Sequence, residues 1–290
     1  MNRRINVLGA PTNLGLKPYD DGRPRGVDQA PQALRDLGLL AALGATDLGD
    51  IEAPPYHDFE RPRGGIRNER LIAGWAETVA EAVAANDDED FLLVLGGDCT
   101  VLLGTLAGLH GRVGLGFIDG HCDFATPDVS TTGGAAGMDL ALAVGRGRSH
   151  LSQPLVREED IVTMARKDLA DEPYYGEHSI RFSAIADLPY EELQRVGPAA
   201  IAERALNRLT SPGLDGFWLH LDVDALDPLV MPAVDSPEVG GLSPDELCAL
   251  LTPLVRHPAA RGLEVTIYDP LLDPRQTAGK LLVDLLARIL

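Results

Sequence analysis

The stretch LVLGGDCTVLLG (93–104) sets the terms of the fold. An apolar run of β type stops at Gly96-Gly97, presents Asp98 and Cys99, and resumes as a helix pattern. A loop that leaves a strand and enters a helix in this way is a favoured place for chemistry, because ligands of a parallel α/β sheet bind beyond the carboxyl ends of its strands. Cys99 is thus open to three readings: metal ligand, nucleophile or packing residue. The same alternation recurs along the chain. Short β-rich runs at 5–10, 46–51, 91–96, 113–119, 159–165, 179–185, 217–223 and 263–268 are separated by helix patterns. That order predicts an α/β fold with an eight-stranded parallel sheet. The best-marked helix follows Ser243: the hydroxyl can cap, Pro244 suits the first turn, Glu246 completes a capping box, and Leu247, Leu250, Leu251 and Leu254 form an apolar stripe. A second stripe, Leu281, Leu282, Leu285, Leu286 and Ile289, marks a last helix from about Thr277.

Composition narrows the function classes. A chain of 290 residues, 45% hydrophobic, can bury one large core, and no stretch reads as a linker, so a single domain over 1–290 is expected. The 25 basic side chains face 44 acidic ones, and a net charge of -19 repels phosphate backbones and anionic membranes. Neither nucleic acid nor a membrane is an expected partner. The opening MNRRINVLGAP has too short an apolar run for a signal peptide, and no apolar span reaches membrane length, which points to the cytoplasm. Cys99, Cys122 and Cys248 are odd in number and lack CxxC spacing, so they are expected as reduced thiols. Glycine patterns for dinucleotides, P-loops or a serine nucleophile elbow are missing.

The chemistry collects after two of the expected strands. FIDGHCDF (117–124) carries Asp119, His121 and Asp123 at alternate positions, and LHLDVDALDP (219–228) carries Asp222 and Asp224 likewise. Alternate side chains of a strand face one way, so each set converges. Packed carboxylates repel one another and resist desolvation unless cations compensate them, which two divalent ions would do. A mostly oxygen donor set suits Mn²⁺ better than a structural zinc, with Fe²⁺, Co²⁺ and Ni²⁺ as alternatives. Either motif alone is equally readable as turn-capping carboxylates. Two such motifs after strands of one sheet favour the metal reading. His220 shares a face with Asp222 and is a candidate supporting residue; for the remaining histidines outside the DGHCD motif a packing or surface role is the simpler expectation.

In this order and spacing, GGDCT, DGHCD, LDVDALDP, PAVDSPEVGGLSPDEL (232–247) and the early GVDQAPQALRDLGL (26–39) resemble the ureohydrolases, the arginase and agmatinase family, over nearly the whole chain. The resemblance implies a three-layer α/β/α fold with an eight-stranded parallel sheet, a binuclear manganese site, hydrolysis of a guanidino or related C–N bond, and a homo-oligomer, trimeric or hexameric. By residue matching it implies that Asp119 and Asp222 bridge the ions, that His121 and Asp224 complete one, and that Asp123 with Cys99 completes the other. It further implies that a hydroxide shared by the two cations, roughly 3.5 Å apart, attacks the substrate carbon while Asp123 handles its proton.

The departures from the family pattern bear on the substrate. Cys99 stands where the family usually has a metal-binding His, and Ala136 where it has a second His used in proton transfer. Ile267 replaces a Glu that pairs with the guanidinium, and Glu264, three residues earlier, is expected on the opposite strand face. Ala125 replaces an Asn that contacts the amino-acid end of arginine, whereas Ser130 and Thr132 keep hydroxyls for substrate binding. Two function classes follow: a metal-dependent amidinohydrolase acting on a small guanidino or amidine compound, or a related protein without turnover in a structural or regulatory role. A softer ligand at Cys99 also predicts that the manganese ion beside it is the weaker of the two.

Overall fold

Eight strands pair in parallel in the computed structural model, which describes residues 3–58, 61, 64–87, 90–171 and 175–290. In chain order they are β1 (Ile5–Ala10), β2 (Thr46–Asp50), β3 (Phe91–Gly96), β4 (Val113–Ile118), β5 (Ile161–Met164), β6 (Ala186–Leu188), β7 (Gly216–Asp222) and β8 (Ala260–Thr266). Across the sheet the order is β2-β1-β3-β8-β7-β4-β5-β6. The described α-helices are α1 (Ala30–Asp36), α2 (Leu39–Leu43), α3 (Glu69–Ala84), α4 (Val101–Gly108), α5 (Asp139–Ala143), α6 (Tyr190–Val196), α7 (Pro198–Leu209), α8 (Pro244–Val255) and α9 (Thr277–Ile289).

Side-chain alternation along the strands makes the three layers. In β3, Leu93 and Leu95 join one apolar cluster while Leu92 and Val94 join the other; in β7, Phe217, Leu219 and Leu221 oppose Trp218. The first cluster takes the buried faces of α1, α6, α7, α8 and α9, and the second those of α3, α4 and α5. Helix α8 starts as its sequence predicts, with Ser243 and Glu246 exchanging both capping-box hydrogen bonds. Among the described residues no helix is long and apolar enough to cross a membrane.

One expected strand is wrong. The run 179–185 forms short 3-10 turns, because the Ser179 hydroxyl accepts from the Arg181 backbone N–H at 3.2 Å and draws the chain into a turn; the edge strand β6 begins only at Ala186. Phe182, which counted as a strand residue, is 72% exposed. The boundaries of β5 and β8 also shift. Glu158–Asp160 is a 3-10 turn before β5. At the other boundary Ile267 leaves the sheet with φ 74°.

The central strands β3, β8, β7 and β4 lie side by side, so the loops leaving their carboxyl ends meet at one edge of the sheet. Gly97 sets the path of the first of these loops. A Cβ there would meet the Thr12 carbonyl oxygen at 1.8 Å and the Thr12 nitrogen at 2.6 Å, and neither backbone atom can retreat, since Asp98 N donates to that carbonyl at 2.9 Å. Gly97→Ala is expected to cost about 3–5 kcal/mol, read as a lower denaturant midpoint. Gly74→Ala in α3, where a Cβ meets nothing within 4 Å, is the control and should stabilise by about 0.5–1 kcal/mol.

Candidate metal centre

The parallel register of β4 and β7 creates the centre. Ile118 is the partner of Leu221, so the next residues, Asp119 and Asp222, emerge side by side where the strands end. The backbone then turns inward around each carboxylate. His121 N donates to Asp119 Oδ1 at 2.6 Å, Asp224 N to Asp222 Oδ1 at 2.7 Å, and Gly120 N to Asp224 Oδ1 at 2.9 Å. These bonds orient the acids without neutralising them. In the loop after β3, Asp98 is buried and receives the N–H groups of Gly15 and Thr100, both at 2.9 Å, which ties the entry of α4 to the loop after β1 and presents Cys99 inward.

The structure brings all six sequence-predicted ligands to one place. Cys99, His121, Asp123, Asp222 and Asp224 line a cavity of about 180 Å³, and Asp119 lies buried beneath it. His121 Nδ1 is 2.9 Å from Asp224 Oδ2 and 3.6 Å from Asp119 Oδ1. Cys99 Sγ donates to Asp222 Oδ2 at 3.1 Å and sits 3.4 Å from Thr266 Oγ1. Asp123 has φ 42°, a left-handed backbone that a non-glycine residue adopts at a cost of order 1 kcal/mol, and such strain clusters at functional sites. Larger clefts of about 330 and 570 Å³ elsewhere on the surface carry no cluster of metal-ligating side chains among the described residues.

Two ligand triads share one carboxylate: Asp119, His121 and Asp224 form the first, and Cys99, Asp119 and His220 the second, with the ligand atoms of each within 4.8 Å of one another. Asp119 Oδ2 and His220 Nε2 are buried without a hydrogen-bond partner, which is the signature of donors that await a cation. The electrostatics agree. Burial and then the Asp224 charge push Asp119 up to about 6, and burial with neighbouring carboxylates pushes Asp123 and Asp222 well above the usual range. Burial, reinforced by Asp222, raises the Cys99 thiol. His121 is raised although burial opposes it, because Asp224 and Asp119 favour its charged form; Asp224 in turn is lowered by His121 against the same burial cost. Four acids this close are compatible with full ionisation only when cations sit among them.

Other placements depart from the expectations. Ser130 and Thr132 are not among the residues lining the cavity; their hydroxyls accept from the backbone of Gly133 at 3.0 Å and Gly134 at 3.2 Å. Ala136 and the buried Ile267 do line it and form an apolar wall. Glu264 does not replace the missing acid at Ile267. It sits under the centre, where Oε1 takes His220 Nδ1 at 2.6 Å and Oε2 takes the Thr105 hydroxyl at 2.6 Å.

Two further carboxylates escaped the sequence reading. Asp235 lines the cavity within the quoted PAVDSPEVGG segment, and Asp139, at the start of α5, is buried with Oδ2 unpartnered. Asp139 was detectable: it follows the apolar Ala135, Ala136 and Met138 and enters an apolar helix, a poor place for an acid that only meets solvent.

An α/β sheet whose central loops converge on such a cage defines a metal-dependent hydrolase. The Arginase family profile matches residues 3–290. Arginase of Bacillus subtilis is 32% identical over 305 residues, covering 100% of this chain and 98% of the relative. The solved arginase of Bacillus caldovelox superposes with a TM-score of 0.86 at 29% identity, over 99% of this chain and 98% of that one, and the solved Bacillus subtilis arginase with 0.84 at 30% over the same shares. The chain belongs to the arginase family, and is a binuclear-metal hydrolase acting on C–N bonds of linear amidines. The reading without turnover is not favoured.

Proposed function

We propose that residues 1–290 form one catalytic domain that hydrolyses a small guanidino or amidine compound whose reacting end differs from that of ordinary arginine. The observation that carries this reading is the pair of triads sharing the buried Asp119, beside a cavity with an apolar wall at Ile267 and Ala136. Asp119, Asp222, His121 and Asp224 would hold the tighter of two divalent ions, manganese in this reading, and Cys99 with Asp123, beside Asp119 and Asp222, the weaker. Bound there, the ions would supply a hydroxide near neutral pH.

The rest falls to the chain. Asp123, on the cavity wall, holds the proton of the nucleophile and passes it toward the leaving nitrogen; its loop is anchored where Ala141 N donates to the Asp123 carbonyl at 3.3 Å. Ser130 and Thr132 have O–H groups to donate to a substrate extending outward, since toward Gly133 N and Gly134 N their oxygens act as acceptors. Ile267 excludes water and offers no charge. Asp235 shares the cavity, where burial raises it above the ordinary carboxylate and Arg25 opposes that only in part. The reading places the enzyme in the cytoplasm as a homo-oligomer.

The test is a screen of guanidino, hydroxyguanidino and uncharged amidine compounds with the manganese-loaded protein, reading urea and amine release. L-arginine is expected to be a poor substrate, because an unpaired guanidinium in a pocket costs several kcal/mol. Ile267→Glu should lower KM for a cationic guanidine by about tenfold or more. Efficient turnover of L-arginine by the unaltered chain would overturn this assignment of substrate.

A further inference from the structure

The pair His220–Glu264 belongs to no step described above, yet it is among the most deeply buried polar features of the molecule, with both side chains 0% exposed. The two residues are register partners on the adjacent strands β7 and β8, so the sheet itself holds them together. The imidazole stacks on Phe117 at 4.5 Å between centroids and 7° between planes, which fixes its rotation. With Nδ1 bonded to the Glu264 carboxylate and Nε2 without a partner, the neutral tautomer carries its proton on Nδ1 and directs the Nε2 lone pair away from Glu264. A carboxylate behind an imidazole in this way is the usual arrangement for a histidine that ligates a metal.

We infer that His220 is a metal ligand in this chain and that, with Cys99 and Asp119, it makes the weaker position beside Cys99 a site for a borderline divalent cation of the zinc class in place of manganese. A ligand nitrogen of His220, Cys99 Sγ and a carboxylate oxygen of Asp119 lie within 4.8 Å of one another. Donors around a tetrahedral zinc, at about 2.0–2.3 Å from the ion, are about 3.5 Å apart, so a small closure suffices. The thiol proton that Asp222 Oδ2 now accepts, 3.1 Å from Cys99 Sγ, leaves when the ion enters, and three protein donors would leave the fourth position open. One sulfur, one nitrogen and one oxygen select zinc, cobalt or ferrous ions over manganese, whereas His121, Asp119, Asp222 and Asp224 keep the harder set.

The inference rests on the binuclear reading, and the experiment separates the two. Metal-free protein is titrated with Co²⁺ and followed by absorbance, since a thiolate ligand produces a charge-transfer band and tetrahedral geometry intensifies the visible bands. Bound Mn²⁺ is counted separately by electron paramagnetic resonance. The unaltered chain should take one Co²⁺ with both signatures. Cys99→Ser should lose the charge-transfer band. His220→Gln/Glu264→Gln, which removes the buried charge together with the ligand and so protects folding, should weaken Co²⁺ at this position by about 100-fold or more while Mn²⁺ uptake at the other continues. Circular dichroism of each metal-free variant confirms that it folds. A Co²⁺ affinity and spectrum that the double variant leaves unchanged would overturn the role of His220 with the binuclear reading intact; a chain that takes up neither ion would overturn both.

Discussion

Asp119→Asn is expected to remove both metal positions at once and to reduce hydrolysis by at least about 10³-fold, because a nucleophile that depends on two cations does not survive the loss of the carboxylate they share. The structure singles out this residue: Asp119 is the member common to both triads, and its Oδ2 has no other partner. The same change should leave the metal-free fold as stable as the parent or more so. In the absence of cations Asp119 is raised to about 6, chiefly by burial, so its charge is held at neutral pH against a cost of a few kcal/mol that an amide does not bear. Metal analysis, turnover and thermal melting of the chelated protein together check the prediction. Retention of two ions per chain in Asp119→Asn would refute the shared-carboxylate arrangement. A large loss of metal-free stability would instead assign Asp119 to the fold.

Metal-free and metal-loaded protein are expected to respond to pH with opposite signs. Asp119, Asp123, Asp139 and Asp222 all have folded values raised above the ordinary carboxylate, by burial first and neighbouring acids second. A raised carboxylate binds more protons folded than unfolded, so its stability contribution worsens as pH rises from the ordinary 3.8 through the folded value, about 6 for Asp119. His121, also raised, adds the same sign above its ordinary 6.5, and Asp224, which is lowered, acts oppositely at lower pH. The chelated protein should therefore lose about 5–10 °C of melting temperature between pH 5 and pH 8. With ions bound the slope reverses over the same window, because ligands must shed protons to coordinate. Parallel curves with and without metal would show that these acids do not form the binding site.

The fold was legible to the extent that it depends on local chemistry. Seven of the eight predicted runs overlap strands. The failure at 179–185 came from a serine that captured its own backbone, a competition that strand alternation does not report. The capping box at Ser243 was readable because all its parts lie within four residues. The carboxylate cage was readable for a similar reason: DGHCD and LDVDALDP each fix their own convergence by alternation, and only the pairing of Ile118 with Leu221 was needed to join them.

What the sequence by itself determined was thus the alternation of strands and helices, the convergence of Asp119, His121, Asp123, Asp222 and Asp224, and the absence of a charge at Ile267. What only the tertiary structure decided was the arrangement around them. Strand alternation rightly excluded Glu264 as a substitute at 267, but nothing local announced that β8 would lie between β3 and β7 and press that acid against His220. Asp139 and Asp235 come to the centre from outside either motif, one buried within reach of the Asp123 and Asp119 charges, the other on the cavity wall. Sequence periodicity specifies which face a side chain takes; which strand stands beside it is set by burying both faces of the whole sheet at once, and that is a property of all its helices together.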